Sequence, residues 1–189
     1  MGRELEFKYI ATPEVLAQIR ALWDGWTEIS METTYFDTAD GKLSGKKCTL
    51  RQRLENGSSV CTLKTPLSGF GRGEWDVQSV WSAEAVARLF ADAAQTPIAF
   101  ESLLPVCGAR FTRLAKTVEL PGCTVELALD SGVLLGGGKE IPLCELEIEF
   151  KSGAEAAAVN WAGHFAQRFA LQSETKSKFK RAYLLAKGE

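Results

Sequence analysis

Acidic residues recur at alternate positions twice in this chain, in Glu4-Leu5-Glu6-Phe7-Lys8 and in Glu145-Leu146-Glu147-Ile148-Glu149. A strand sends alternate side chains to opposite faces, so each segment carries one charged face and one apolar face. Neighbouring carboxylates on such a face lie roughly 6–7 Å apart. At an effective dielectric of about 20 each pair repels by roughly 2–3 kcal/mol, so the pattern calls for a cation. Carboxylate oxygens are hard ligands and suit Mg2+ or Mn2+ rather than zinc. A second set has the opposite charge: Lys8, Arg51, Arg53, Lys64, Arg72 and Arg113, then Lys176, Lys178 and Arg181. Arginine matches phosphate oxygens bidentately and lysine acts as a point charge. A row of them fits several phosphates in line. Metal and polyphosphate together imply phosphoryl or nucleotidyl transfer, driven by positioning and charge neutralisation.

Other chemistry finds little support. Gly69-Phe70-Gly71-Arg72-Gly73 is Gly-rich but lacks the Gly-Lys-Ser/Thr end of a phosphate-binding P-loop. The single histidine, His164, lies in an Ala-rich helical stretch without a partner for catalysis. Five cysteines, an odd number with no CxxC, argue against a zinc site or a disulfide framework. They read as reduced, buried thiols of a cytoplasmic protein.

The elements that must position these charges are short and mixed. Strands are predicted over residues 3–10, 31–37, 47–54, 59–65, 72–80, 109–120, 123–130 and 140–150. The second pair of these turns back across Glu55-Asn56-Gly57-Ser58, a hairpin signal. Helices are predicted over 13–23, capped by Thr12 with Pro13 at its first position, over 83–93 after Ser82, over 154–170 and over 176–186. A connection with a short helix fits Pro97 to Pro105.

Parity fixes the faces. Glu4, Glu6 and Lys8 oppose Leu5, Phe7 and Tyr9; Arg51 and Arg53 oppose Leu50 and Leu54. Lys64 lies opposite Leu63, Arg72, Glu74 and Asp76 opposite Trp75 and Val77, and Glu126 and Asp130 opposite Val125, Leu127 and Leu129. An open sheet with a solvated charged side would mix signs along a strand. Here the signs cluster, and helices with apolar stripes need apolar sheet to cover. The pattern therefore predicts an α+β fold: a closed or nearly closed antiparallel barrel, apolar and helix-covered outside, with acids and bases inside. Ions must fill such an interior.

The 189 residues suit one domain with a real core, and the formal charge of −2 excludes a general nucleic-acid-binding chain. No apolar run is long enough to span a membrane, and Arg3-Glu4-Leu5-Glu6 does not resemble a signal peptide. No nucleic-acid or membrane partner is expected.

These residues resemble the CYTH family, the triphosphate tunnel metalloenzymes. Glu4-Leu5-Glu6-Phe7-Lys8 matches its ExExK signature, Tyr35-Phe36-Asp37-Thr38 its YFDT, Leu50-Arg51-Gln52-Arg53 its LRxR and Leu63-Lys64 its LK. Arg72-Gly73-Glu74-Trp75, Leu129-Asp130-Ser131-Gly132, Glu145-Leu146-Glu147-Ile148-Glu149 and Ser177-Lys178-Phe179-Lys180-Arg181 follow in the family's order. The resemblance covers almost the whole chain, read as a single CYTH domain over residues 1–189.

The resemblance implies an eight-stranded antiparallel tunnel that hydrolyses a triphosphate with Mg2+ or Mn2+. It implies Glu4, Glu6, Glu145 and Glu147 as metal ligands. Asp130 and Glu149 hold either metal, through a ligand atom or a water, or an arginine. Arg51, Arg53, Lys64, Arg113 and Lys178 bind phosphate, and Lys8 orients the terminal phosphate or the attacking water. Arg72 and Arg181 either join them or pair with acids. Asp37 is explained equally well as a turn cap.

Within the family the chain most resembles the CYTH module of bacterial inorganic triphosphatases. The tryptophan that precedes LRxR in thiamine triphosphatases is Thr49 here, and the His-Phe pair of class IV adenylate cyclases is missing upstream of Glu4. Hydrolysis of inorganic triphosphate is thus expected ahead of thiamine triphosphatase or adenylate cyclase activity, or of polyphosphate binding without turnover. The expected partner is a small triphosphate, and the chain acts as a monomer or homodimer. No second helical domain follows Glu189, so a stand-alone form or a piece of a longer protein is expected.

Overall fold

The computed structural model describes residues 5–66 and 72–189, with Arg72 described by its backbone alone. Glu4 and the loop Gly69-Phe70-Gly71 lie outside the described residues. The elements run β1 (Glu6–Ile10), α1 (Pro13–Arg20), β2 (Thr27–Thr38), α2 (Lys42–Gly45), β3 (Thr49–Glu55), β4 (Ser58–Pro66), β5 (Arg72–Gln78) and α3 (Ala83–Asp92). A 3-10 turn (Phe100–Ser102) then leads to β6 (Leu103–Leu120), β7 (Cys123–Gly136), β8 (Lys139–Gly153), α4 (Glu155–Arg168), β9 (Gln172–Ser173) and α5 (Lys178–Lys187).

Local chemistry sets most of these boundaries. The hydroxyls of Thr12, Ser82 and Ser177 accept hydrogen bonds from the backbone N–H of Val15, Ala85 and Lys180, which start α1, α3 and α5. The β3–β4 hairpin turns at Asn56 and Gly57, with φ of 49° and 85°. Both central residues then have the positive φ that matches the twist of a two-residue hairpin. The Asn56 side chain also accepts a bond from the Ser30 N–H at 2.8 Å, which ties the turn to β2.

The strands form one antiparallel sheet in the order β5-β4-β3-β2-β6-β7-β8-β1-β9. Eight are substantial and β9 has two residues, paired to β1. No pairing joins β5 to β9 among the described residues, so the tunnel wall is an open, strongly curved sheet rather than a closed ring of hydrogen bonds. β2, β6, β7 and β8 are longer than their sequence signals. β6, for instance, runs through Pro105, which faces Phe36 where an extra β6 residue, Val106, shifts the register with β2. Proline donates no ladder bond and is tolerated at such an irregularity.

Three apolar clusters hold the fold. Leu127, Leu129, Leu146 and Ile148 on the outer face of β7 and β8 pack under α1 and α4 with Ile19, Ala158 and Ala162. Leu50, Cys61, Leu63 and Val77 pack under α3 with Val86, Leu89 and Phe90. The third cluster lies on the opposite face. Met31, Tyr35, Ala109, Phe111, Leu134 and Leu143 point to the same side of the sheet as the charged residues, and Ala182 of α5 sits on them with Phe179 and Tyr183. So α1, α3 and α4 clothe the outside as expected, while α5 enters the concave side and fills one end of it. Its apolar stripe finds apolar sheet there because β6, β7 and β8 change from charged to apolar residues along their inner face.

Candidate active site

The charged faces meet in a cavity of about 420 Å³ on the concave side. Glu6 and Lys8 enter it from β1, Arg51 and Arg53 from β3, Lys64 from β4, Glu74 from β5, Arg113 from β6, Glu126 from β7, Glu147 and Glu149 from β8, and Lys178 from α5. The register explains the grouping. Glu6 lies opposite Glu149, Lys8 opposite Glu147, and Glu126 opposite Glu149. Four carboxylates thus line one wall from three adjacent strands. Arg51, Arg53 and Lys64 line the facing wall from β3 and β4.

Cations and carboxylates also pair within the walls. Lys8 Nζ lies 3.2 Å from Glu6 and 3.8 Å from Glu147. Lys151, continuing the inward row of β8, lies 2.9 Å from Glu149 and 3.4 Å from Glu126. Arg51 Nη2 and Lys64 Nζ contact the two oxygens of Glu74 at 3.3 and 2.8 Å. Arg53 has weaker support: a 3.4 Å hydrogen bond from Nε to Thr33 and Glu55 at 3.6 Å. Burial, then the neighbouring Arg51 and Arg113 charges, lowers the Arg53 guanidinium to about 10. A buried cation beside other cations gains from any anion that binds among them.

Behind the acidic wall lies a denser network. Asp130, Glu145 and Glu147 each bring an oxygen within 4.8 Å of the others. That spacing would suit a metal, but the chain's own cations are already among them. Lys178 Nζ donates to Glu147 at 2.7 Å, pairs with Asp130 at 2.7 Å and contacts Glu145. Arg113 holds Asp130 through two bonds of 2.8 and 2.7 Å and also reaches Glu147. Arg181 takes the other oxygen of Glu145, with Glu174 at 3.8 Å. Burial opposes the charge on Glu147, yet Lys178, Arg113 and Lys8 hold its carboxyl well below the usual range. Burial pushes the Glu145 carboxyl up, against the pull of Lys178 and Arg181. Lys178 is buried and Arg113 partly so, and these acids raise both above their ordinary values.

The sequence matches the CYTH domain family over residues 2–183. This chain belongs to the CYTH family. It is 27% identical to an inorganic triphosphatase of Haemophilus influenzae, over 98% of this chain and 55% of that protein. The CYTH chain thus spans about half the length of this curated relative. Its fold is similar to that of a Hippeastrum protein described as a candidate adenylyl cyclase with a dominant triphosphatase activity (TM-score 0.66, 17% identity, covering 98% of this chain and 96% of that one). It is similar also to a protein of Pyrococcus horikoshii OT3 (TM-score 0.63, 20% identity, 98% and 99% covered).

The CYTH motifs separate into three places. Glu6, Lys8, Arg51, Arg53, Lys64, Arg113, Glu147, Glu149 and Lys178 line the cavity. Asp130, Glu145 and Arg181 lie behind its wall, with Asp130 and Glu145 fully buried. Glu4 and the Arg72 side chain lie outside the described residues. Asp37 of the YFDT motif does not line the cavity and accepts backbone bonds from Thr38, Leu43 and Ser44 at 2.8, 2.8 and 2.9 Å. It is a cap for α2. Sequence reasoning did not assign Glu74, Glu126 or Lys151 to the site. Glu74 and Glu126 had the right parity, while Lys151 sits one period beyond the second acidic triplet. No described helix is long and apolar enough to cross a membrane.

Proposed function

We propose that this chain hydrolyses inorganic triphosphate to pyrophosphate and phosphate with a divalent cation, Mg2+ or Mn2+. The observation that carries it is the facing of a basic wall (Arg51, Arg53, Lys64) and an acidic wall (Glu6, Glu126, Glu147, Glu149) across one cavity. A metal held by the acids and a polyanion held by the bases neutralise each other and both walls. The family match and the Haemophilus triphosphatase relative support the same reading.

The acidic wall fits a hard cation because every cavity-facing donor on it is a carboxylate oxygen. Glu6, Glu147 and Glu149, on paired strands, are the described residues that would hold it, with Glu4 as a fourth candidate by sequence. Of the inner triad only Glu147 faces the cavity, while Asp130 and Glu145 are fully buried against Lys178, Arg113 and Arg181. When bound, the cation supplies Lewis acidity that neutralises phosphate charge and acidifies water.

The chain's own groups do the rest. Arg51 and Arg53 present planar forks to the phosphoryl oxygens and Lys64 a point charge. Lys8 stands between Glu6 and Glu147 on the acidic wall, where it orients the terminal phosphate beside the cation. Arg113 and Lys178 border the cavity with their positions fixed by carboxylates, which favours preorganised stabilisation of developing charge over movement during the reaction. Water attacks the terminal phosphorus as the bond to the bridging oxygen breaks, and pyrophosphate leaves in line.

Release of phosphate from tripolyphosphate with Mg2+ or Mn2+, and its loss with EDTA, is the test. Tight binding of tripolyphosphate without release would make the chain a binding module instead. Cyclic AMP formed from ATP without phosphate release from tripolyphosphate would replace hydrolysis by cyclisation.

A further inference from the structure

Glu74 is out of place on its wall. The other carboxylates that line the cavity come from β1, β7 and β8, while Glu74 projects from β5 among the cations of β3 and β4. In register it lies opposite Lys64. One of its oxygens lies 2.8 Å from Lys64 Nζ and the other 3.3 Å from Arg51 Nη2. Two oxygens on one centre, spread over a lysine and an arginine, is the contact a phosphoryl group would make there.

Building on the reading of this cavity as a triphosphate site, we propose that Glu74 is an internal anion that occupies a phosphoryl position and must be displaced from Arg51 and Lys64 by substrate. Glu74 thereby sets which anions stay bound. An anion gains the two cations only by releasing a carboxylate. Tripolyphosphate, with more charge than pyrophosphate or orthophosphate, compensates best for that release. The products compensate worst, so Glu74 returns and expels them. Glu74 is a specificity-determining residue in this scheme.

Three observations agree with displacement. Arg51 Nε is buried without a hydrogen-bond partner, so its guanidinium retains bonding capacity that Glu74 does not use. The Glu74 side chain is 28% exposed against 13% for Arg51, so the acid can swing to water while the base stays. β5 is the end strand of the sheet among the described residues, which leaves room for that swing. Burial opposes the charge on Glu74, but Lys64 and then Arg51 keep its carboxyl below the ordinary range. It is therefore a charged competitor at neutral pH.

The test uses calorimetric titration of the metal-free protein with pyrophosphate, which needs no turnover. The near-isosteric E74Q and the smaller E74A are compared with wild type. E55Q serves as control, because Glu55 contacts Arg53 without lining the cavity. Removing one opposed charge next to a polyanion predicts a Kd for pyrophosphate lower by about tenfold or more in E74Q and E74A. E55Q should change it by less than about threefold, as exposed charges are screened. In steady state, E74Q should lower KM for tripolyphosphate and lower kcat, as product release slows. Unchanged or weaker pyrophosphate binding in both Glu74 variants overturns the proposal, as does equal tightening in E55Q. Wild-type protein that releases no phosphate from tripolyphosphate overturns the hydrolysis reading instead, and the binding comparison stands apart from it.

Discussion

The ammonium of Lys178, at the start of α5, lies 2.7 Å from Oε1 of Glu147 on β8. The same Nζ sits among Asp130 and Glu145, so one lysine from the last helix neutralises part of a buried group of three acids. Arg113 and Arg181 complete the balance. This arrangement makes α5 a part of the site rather than a cover over it.

Replacing Lys178 by methionine strands those carboxylates in the interior. Removing one partner of a buried ion pair costs about 3–5 kcal/mol. K178M should lower the urea midpoint accordingly, and phosphate release should fall because Glu147, which faces the cavity, loses the lysine it shares with Asp130 and Glu145.

The pH dependence of stability follows from the same network, measured in EDTA. Glu147 is depressed in the folded state, so its contribution is full above the unfolded carboxylate value of about 4.3 and is lost as pH falls below it. Lys178 is raised, so its contribution is full below about pH 10.4 and is lost as pH climbs beyond. Glu145 is raised and works against Glu147 on the acid side. The wild-type curve should be flattest between the carboxylate range and about pH 8, and should fall above it, where unfolded thiols ionise while burial keeps Cys61, Cys107 and Cys144 protonated. The difference between wild type and K178M should shrink as pH drops from about 7 to 4, where the stranded acids take up protons. Urea unfolding across that range reads it.

Glu6 faces the cavity and lies 3.2 Å from Lys8. E6Q should keep far-UV circular dichroism and melting temperature close to wild type. Its phosphate release should fall by about 10²-fold or more, with weaker Mn2+ binding by calorimetry. Full activity in E6Q would remove Glu6 from the metal site.

On the basic wall, R53A should raise KM for tripolyphosphate more than it lowers kcat. Loss of a charge-assisted hydrogen bond is worth about 1.5–3 kcal/mol, or roughly tenfold to a hundredfold in kcat/KM. R53K should recover part of the loss, because a point charge replaces the fork.

Asp37 predicts the opposite separation. Its carboxylate satisfies three backbone donors of the β2–α2 connection and is buried. D37A should cost about 2–3 kcal/mol of stability and leave KM for tripolyphosphate unchanged in the folded fraction. A melting curve and a kinetic titration separate the two effects.

Parity carried much of this site. Glu6, Arg51, Arg53, Lys64, Glu147 and Glu149 line the cavity because each lies opposite an apolar residue that the outer helices cover. The partners of the acids were not legible. Glu145, Glu147 and Glu149 repeat identically in sequence, yet Glu145 is fully buried under Lys178 and Arg181 while Glu149 contacts Lys151 nearer the surface. Depth along a strand decides that, and depth depends on where α5 docks. The alternation of β6 and β7 likewise gave no warning that the inner face turns apolar toward Cys107, Ala109 and Leu134. That change is what draws α5 inside.

The pairing of Glu6 with Glu149 has a further consequence, for biosynthesis. The basic wall comes from one local hairpin, β3 and β4, and can form as soon as it leaves the ribosome. The acidic wall needs β1 to wait for β8, which follows β2 to β7 in the chain, and such distant pairings form slowly. During synthesis the nascent chain therefore carries an unopposed positive hairpin before its negative counterpart exists. The site is therefore completed last, when β8 reaches β1 and sets its carboxylates across from the hairpin.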